Sequence, residues 1–136
     1  MGTQQLLLIV VGVVLVGIMI AVGLFMFRDQ AAATNRDALT NDLTHLASAA
    51  QQHYRRPTVF GGGQRRFTGL TLSKLTTKPI NANGTYSLSP DPVTGTPASV
   101  QITGIGRETG IDGTNKVKVV VLVFPDSVYV DDSNGN

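Results

Sequence analysis

"QQLLLIVVGVVLVGIMIAVGLFMF" (residues 4–27) opens with two glutamines and contains no ionisable side chain. From residue 6 to residue 27 the apolar run is interrupted only by Gly12, Gly17 and Gly23. As a helix rising ~1.5 Å per residue, this stretch spans about 33 Å, close to the ~30 Å hydrocarbon core of a bilayer. An amphipathic helix packed on a soluble core carries a polar stripe, and this one is apolar all round. It is built for lipid or for a surrounding equally dry. A cleaved export signal has a basic start and a shorter apolar region ending at a small-residue cut site. Here no Lys or Arg precedes the run, and Arg28 and Asp29 separate it from the alanines at 31–33.

Helical character continues beyond the run. Residues 24–56 contain neither glycine nor proline and are rich in alanine, the strongest helix former. Apolar side chains recur at Leu39, Leu43, Leu46, Ala47, Ala50 and Tyr54. That spacing draws one stripe along a helix, with Asp37, Asn41, Thr44, Ser48 and Gln51 turned elsewhere. Pro57 supplies the stop, because the residue before a proline is pushed out of helical geometry.

After Pro57 the pattern becomes β-type. "FGGGQRR" (60–66) reads as a flexible connection, since three successive glycines hold neither helix nor strand. "TYSLS" (85–89) alternates between the turns "NANG" and "PDPVTG", and "SVQITGI" (99–105) places Val100 and Ile102 on one face. "GIDGTNK" (110–116) carries hairpin-turn chemistry. "VKVVVLVF" (117–124), ended by Pro125, is apolar on both sides and is expected to be covered on both. Val119 and Val121 would face the helix stripe of Leu39, Leu43, Leu46 and Tyr54. The other side would take a loop, the 67–75 segment, or another subunit.

The expected fold class is α+β. A long N-terminal helix, apolar over 1–27 and amphipathic over 28–56, would pack on an antiparallel sheet of three to four strands within 57–136.

Composition bounds the chemistry. Charged residues make up 15% of the 136-residue chain, against roughly 25% in soluble domains. A net charge of +2 does not by itself point to nucleic acid. There is no cysteine, so disulfides and thiolate metal sites are excluded. His45 and His53 lack partners at ligand spacing and read as solvated helix residues. Asp91, Asp112, Asp126, Asp131 and Asp132 lie in separate loops without a calcium-loop spacing. No nucleophile has a nearby base, and "FGGG" lacks the lysine and following Ser/Thr of a phosphate loop. The expectation is no enzyme, no cofactor and no small-molecule substrate. Arg55, Arg56, Arg65 and Arg66 cluster near Tyr54, Phe60 and Phe67 and could grip an anionic surface. Solvated arginines, or salt bridges to an adjacent subunit, are the simpler reading, so no specific nucleic acid is expected. Asn83-Gly84-Thr85 matches the N-glycosylation pattern and is also ordinary turn chemistry.

A long helix, apolar then amphipathic, followed by a loop and a small antiparallel sheet resembles the type IV pilin family. The sequence-level likeness lies in the first ~25 residues, where "MGTQQLLLIVV" fits the family's pattern if Met1 is the mature first residue. The resemblance implies a subunit held in the membrane by its helix and then polymerised into an extracellular filament. Its partners would be copies of itself and an assembly machinery. It marks Met1, Gln5, Gly12, Gly17 and Gly23 as residues of the filament core. Three features depart from the family. Gln5 stands where a glutamate pairs with a neighbour's N-terminal amine, and an amide is cheaper to bury but attracts an amine less. The C-terminal disulfide loop has no counterpart.

The third departure is the missing basic leader, expected to be trimmed or never encoded. Arg28 and Arg36 after the run would by themselves keep the domain in the cytoplasm, so the pilin orientation needs such a leader. Gly12 and Gly23, eleven residues apart, share a helix face that Gly17 does not. They either admit a neighbouring helix closely or loosen the packed segment, and the absence of proline favours the first. A single-pass membrane protein with a partner-binding β domain, and a pseudopilin of a secretion machine, are the alternative readings.

Overall fold

The computed structural model describes residues 2–131. Helix α1 (Gly2–Arg55) runs 54 residues without a break, the three glycines of its apolar half included. At ~1.5 Å per residue it is about 80 Å long. It ends one residue before Arg56, and Pro57 beyond is extended at φ −60°, ψ 152°.

The glycine-rich segment after it is ordered, which corrects the expectation of a flexible connection. A 3-10 turn (Thr58–Phe60) reverses the chain, and residues 63–65 fold back on the helix end. Helices leave their last carbonyls without intrahelical partners. Here Gly63 N–H donates to the His53 carbonyl (2.8 Å), Arg65 to Tyr54 (2.6 Å) and Gln64 to Arg56 (3.0 Å). To reach them, Gln64 and Arg65 adopt left-handed backbone at φ 51° and 62°. The glycines are there for closeness. A Cβ on Gly63 would lie 1.7 Å from the Arg66 carbonyl oxygen, and one on Gly62 would lie 2.1 Å from that of Arg56. Both obstacles are backbone, so no side-chain rotation relieves them. Gly63→Ala is expected to open this cap and cost about 3 kcal/mol, the upper end for overpacking. Denaturant unfolding of the detergent-solubilised chain measures it, and an unchanged midpoint would mean that the cap contributes nothing.

Four antiparallel strands follow in meander order: β1 (Gly84–Ser89), β2 (Val100–Thr109), β3 (Lys116–Val123) and β4 (Val128–Asp131). Strand β2 is longer than its sequence pattern indicated, with a register irregularity between Ile105 and Thr109. β4 lay beyond the last strand read from sequence. It is reached because Phe124 leaves the ladder and its N–H donates to the Ser127 carbonyl (2.9 Å), closing a turn around Pro125 and Asp126.

The fold is α+β, with the second half of α1 laid across one face of the sheet. The core joins Leu39, Leu43, Ala47 and Ala50 of the helix to Ile102, Val119, Val121 and Val123 of the sheet. A further element missing from the sequence reading is helix α2 (Leu72–Leu75). The segment containing it closes this same core, burying Phe67 and Leu70 completely. Phe67 stacks at a tilt on half-buried Tyr54, with ring centroids 4.9 Å apart. Residues 67–75 therefore belong to the helix side and do not cover the outer face of β3. On that outer face Val120 is 5% exposed and is flanked in register by Thr103 and Asp131. Leu122 lies between Gln101 and Tyr129 and stays half-exposed. Neighbours within the sheet shelter this face, so its apolar side chains do not require a second layer.

Close approach of helix to sheet rests on glycines that the sequence reading passed over. Gly84 pairs with Gly106 in the ladder, and Gly104 is next but one. A Cβ on Gly104 would come within 3.2 Å of Leu43 Cδ1, and one on Gly106 within 2.0 Å of Asn35 Oδ1. Bare backbone here lets Leu39 and Leu43 sit down onto the sheet.

Candidate functional site: the exposed helix and the tie beneath it

Residues 6–27 are exposed among the described residues, Gly23 alone being half-buried. Their apolar side chains are exposed throughout, from Leu6 at 63% to Phe27 at 77%. The most apolar 18-residue window has a mean hydropathy of 3.1 and no buried residue, so this helix is long and apolar enough to cross a membrane. Fully burying one Leu or Val side chain is worth about 1.5–3 kcal/mol. An exposed surface of so many exceeds the few-hundred-Å² patches that monomers tolerate in water. This surface requires a partner.

Gln5 is exposed on the first turns, and Met1 lies outside the described residues, as does Asp132. A Cβ added at Gly12, Gly17 or Gly23 would meet nothing within 4 Å. Their smallness therefore serves no contact within the chain. Gly12→Leu together with Gly23→Leu is expected to leave the unfolding midpoint of the solubilised chain unchanged while weakening helix–helix association at least tenfold. Cross-linking yield in detergent or lipid reads this, and equal association by the variant would remove close packing as their role.

The remaining residues singled out in the sequence are placed as follows. Leu39 and Leu43 are completely buried, Leu46 is 7% exposed, and Val119 and Val121 face them from β3. His53 is buried, with Nε2 3.2 Å from the Thr68 carbonyl, which corrects its reading as a solvated residue, while His45 is exposed. Arg55, Arg56, Arg65 and Arg66 are exposed around the helix cap. Arg55 and Arg65 share one shallow cleft with Asp126, and Arg56 lines another with Lys74. Asp112 closes its own turn, accepting from the N–H groups of Thr114 and Asn115 at 3.0 Å each. Asp91 accepts weakly from the Leu72 N–H (3.3 Å).

Sequence reasoning missed a polar cluster centred on Asp42. One carboxylate oxygen accepts from Asn81 Nδ2 (2.9 Å), from Asn83 Nδ2 (2.9 Å) and from the Tyr86 hydroxyl. Asn81 Oδ1 in turn holds the N–H groups of Asn83 (2.8 Å) and Gly84 (3.1 Å), and the Arg107 guanidinium clamps the Asn81 carbonyl. Asn35 adds a bond to the Asn83 carbonyl (2.8 Å). The Asn83 nitrogen that a glycan would occupy is thus the one that donates to Asp42, and the residue is half-buried. Its geometry fastens the "NANG" turn to α1.

Partial burial acts to raise the Asp42 pKa, but the hydrogen bonds from Tyr86, Asn83 and Asn81, with His45 nearby, hold it below its ordinary 3.8. For Tyr86, burial first and then the Asp42 carboxylate push the hydroxyl well above its ordinary 10.0. The two shifts bound a window. The Asp42 contribution is complete above pH 3.8 and is lost as pH falls through the lowered folded value. The Tyr86 contribution is complete below pH 10.0 and is lost as pH rises towards the raised one. Unfolding free energy is expected to fall at both edges. Asp42→Asn should flatten the acid edge and Tyr86→Phe the alkaline edge, and acid and alkaline edges that neither variant moves would rule the cluster out as their source.

No family model matches the chain, and neither do curated proteins or solved structures.

Proposed function

We propose that this chain is the structural subunit of an extracellular filament of the type IV pilus kind, polymerising through α1. One observation carries the reading: residues 6–27 expose apolar side chains on every side, while the second half of the same helix packs on the sheet. Lipid satisfies such a surface before assembly. A bundle of the same helices satisfies it afterwards, in a core equally dry. The sheet domain then stands outside, joined to the core through an unbroken helix. Delivery to the membrane with the domain outward, and extraction from it, call for an assembly machinery. No reaction is assigned to the chain.

Electron microscopy of material sheared from the cell surface tests this. Filaments labelled by an antibody to the β domain are expected. Recovery of the whole population as detergent-soluble monomers, with no labelled filament, would reject the proposal.

A second reading has its own observation. The stripe of Leu39, Leu43 and Leu46 is covered within the monomer by Val119, Val121 and their neighbours. The domain therefore does not need a second copy for its core. That favours, as the alternative, a single-pass membrane protein whose β domain meets a partner, and it is the outcome the detergent arm of the experiment would report.

A further inference from the structure

We infer that Asn83 is a site of spontaneous deamidation, held shut by the tie to Asp42 and converted irreversibly once that tie lets go. The inference concerns the β domain alone and stands whatever the apolar half of α1 meets.

The reactive pair is Asn83-Gly84. An asparagine side chain is attacked by the backbone nitrogen of the residue after it, and glycine, lacking a Cβ, lets the two approach most freely. The Gly84 nitrogen bonds to Asn83 Cγ, the Cγ–Nδ2 bond breaks, and ammonia departs with the proton from Gly84. Water then opens either carbonyl of the resulting succinimide and leaves aspartate or isoaspartate at 83. The step needs only water, so the unfolded chain is open to it.

The fold demands both halves of the pair. A Cβ at 84 would run into the Ile105 carbonyl oxygen and press on Leu39 Cδ2 at 3.0 Å, which leaves glycine as the residue that fits. At 83, a side-chain N–H donor is what meets the Asp42 carboxylate (2.9 Å). The same contacts disarm the pair. Gly84 is buried, and its N–H donates to Asn81 Oδ1 (3.1 Å), an amide oxygen too weakly basic to take the proton. Pairing with Gly106 and a bond from the Asn81 N–H to the Gly84 carbonyl (3.0 Å) fix the glycine from other sides. The Asn83 N–H donates to Asn81 Oδ1 (2.8 Å), and the Asn83 carbonyl accepts from Asn35 Nδ2 (2.8 Å). Swinging Cγ onto the Gly84 nitrogen breaks the bond to Asp42. Freeing that nitrogen breaks the bond to Asn81.

The product does not fit back. Aspartate at 83 loses the donor and sets a second carboxylate within hydrogen-bond distance of Asp42, where like charges repel. Isoaspartate also adds a carbon to the main chain just ahead of the Gly84–Gly106 pair that starts the β1 ladder. One sufficiently long opening is thus recorded for good.

Peptide mapping by mass spectrometry reads the mass gained when OH replaces NH2, on the full chain in detergent at neutral to mildly alkaline pH. Asn83 is expected to convert at least roughly tenfold more slowly in the folded chain than in the same chain in denaturant, the factor that an opening cost of about 1.4 kcal/mol sets. Asp42→Ala, with its sheet intact by circular dichroism, should recover most of that difference. Val123→Ala should not, because it hollows the core at the opposite end of β2 from the Gly84–Gly106 pair. Equal rates in the folded and denatured parent would overturn the inference, as would an Asp42→Ala chain as protected as the parent. Release by Val123→Ala as large as by Asp42→Ala would overturn it too, since folding in general would then be the guard.

Should Asp42→Ala fail to fold, Asn81→Ala decides. It removes the acceptor of the Gly84 N–H, and a folded Asn81→Ala chain that stays protected overturns the inference. The irreversible step has its own readout. Asn83→Asp, encoded from the start, is expected to unfold at a lower denaturant concentration than the parent, and an unchanged midpoint would overturn that step.

Discussion

On the filament reading proposed above, cells producing Val16→Asp are expected to show no filaments, while the solubilised domain unfolds at the same denaturant concentration as the parent. Val16 is 55% exposed in the middle of the apolar half, so its replacement disturbs nothing inside the chain. An aspartate at the centre of a membrane helix costs about 2.5–3.5 kcal/mol on insertion scales. In a dry bundle the same carboxylate would recur in every copy around the axis, where burial without a partner is costlier still. Val119→Asp provides the opposite case. It places a carboxylate in a completely buried position of the sheet, and should unfold the domain while leaving the apolar helix as able to enter a membrane as before. Fractionation, microscopy and unfolding separate the two. Normal filaments from Val16→Asp would exclude the apolar helix from the polymer core.

The second large effect lies where helix meets sheet. Leu43→Ala is expected to cost about 2–5 kcal/mol, the range for emptying a fully buried leucine site. Gly104→Ala should cost about 1–3 kcal/mol through overpacking. Its new methyl would press on Leu43 Cδ1 and on the Tyr86 ring, each at 3.2 Å. The informative quantity is the double variant. With Leu43 shortened, half of that pressure disappears and the methyl fills part of the space left behind. The combined loss should fall short of the sum by about 1 kcal/mol. Strict additivity would mean that Leu43 is not the reason for a glycine at 104.

Much of this architecture is written in local patterns. An apolar run without a polar stripe, then a stripe recurring at helical spacing, is enough to draw α1 and to say which of its sides faces the sheet. Alternation at 85–89 and the valine run at 117–123 likewise announce their strands. What stayed hidden depends on residues distant in the chain. Asp42 bonds to partners 39, 41 and 44 positions away, and a single aspartate on a helix carries no sign of them. Residues 60–66 look loose because glycines permit looseness. Only the carbonyls of His53, Tyr54 and Arg56 show that the same freedom is used for a close cap. The double-sided valine strand suggested two covers, but flanking residues within the sheet shelter Val120 without one. Strand β4, four residues long, is too short to show alternation. As for the candidate site, its exposed surface is readable from the run at 6–27, which carries no polar stripe to mark an outer side.

The unbroken helix has a mechanical side. Tension applied to residues 6–27 is delivered straight into residues 28–55, with no hinge to absorb it. Such a pull would drag α1 lengthwise over the sheet. Leu39 and Leu43 rest in hollows left by Gly84, Gly106 and Gly104, so sliding would force them up over neighbouring side chains. Asp42, hooked to the turn at 81–84, resists the same motion from the side. The glycine hollows thus act as detents, and load carried along a filament would be borne by shape as well as by adhesion.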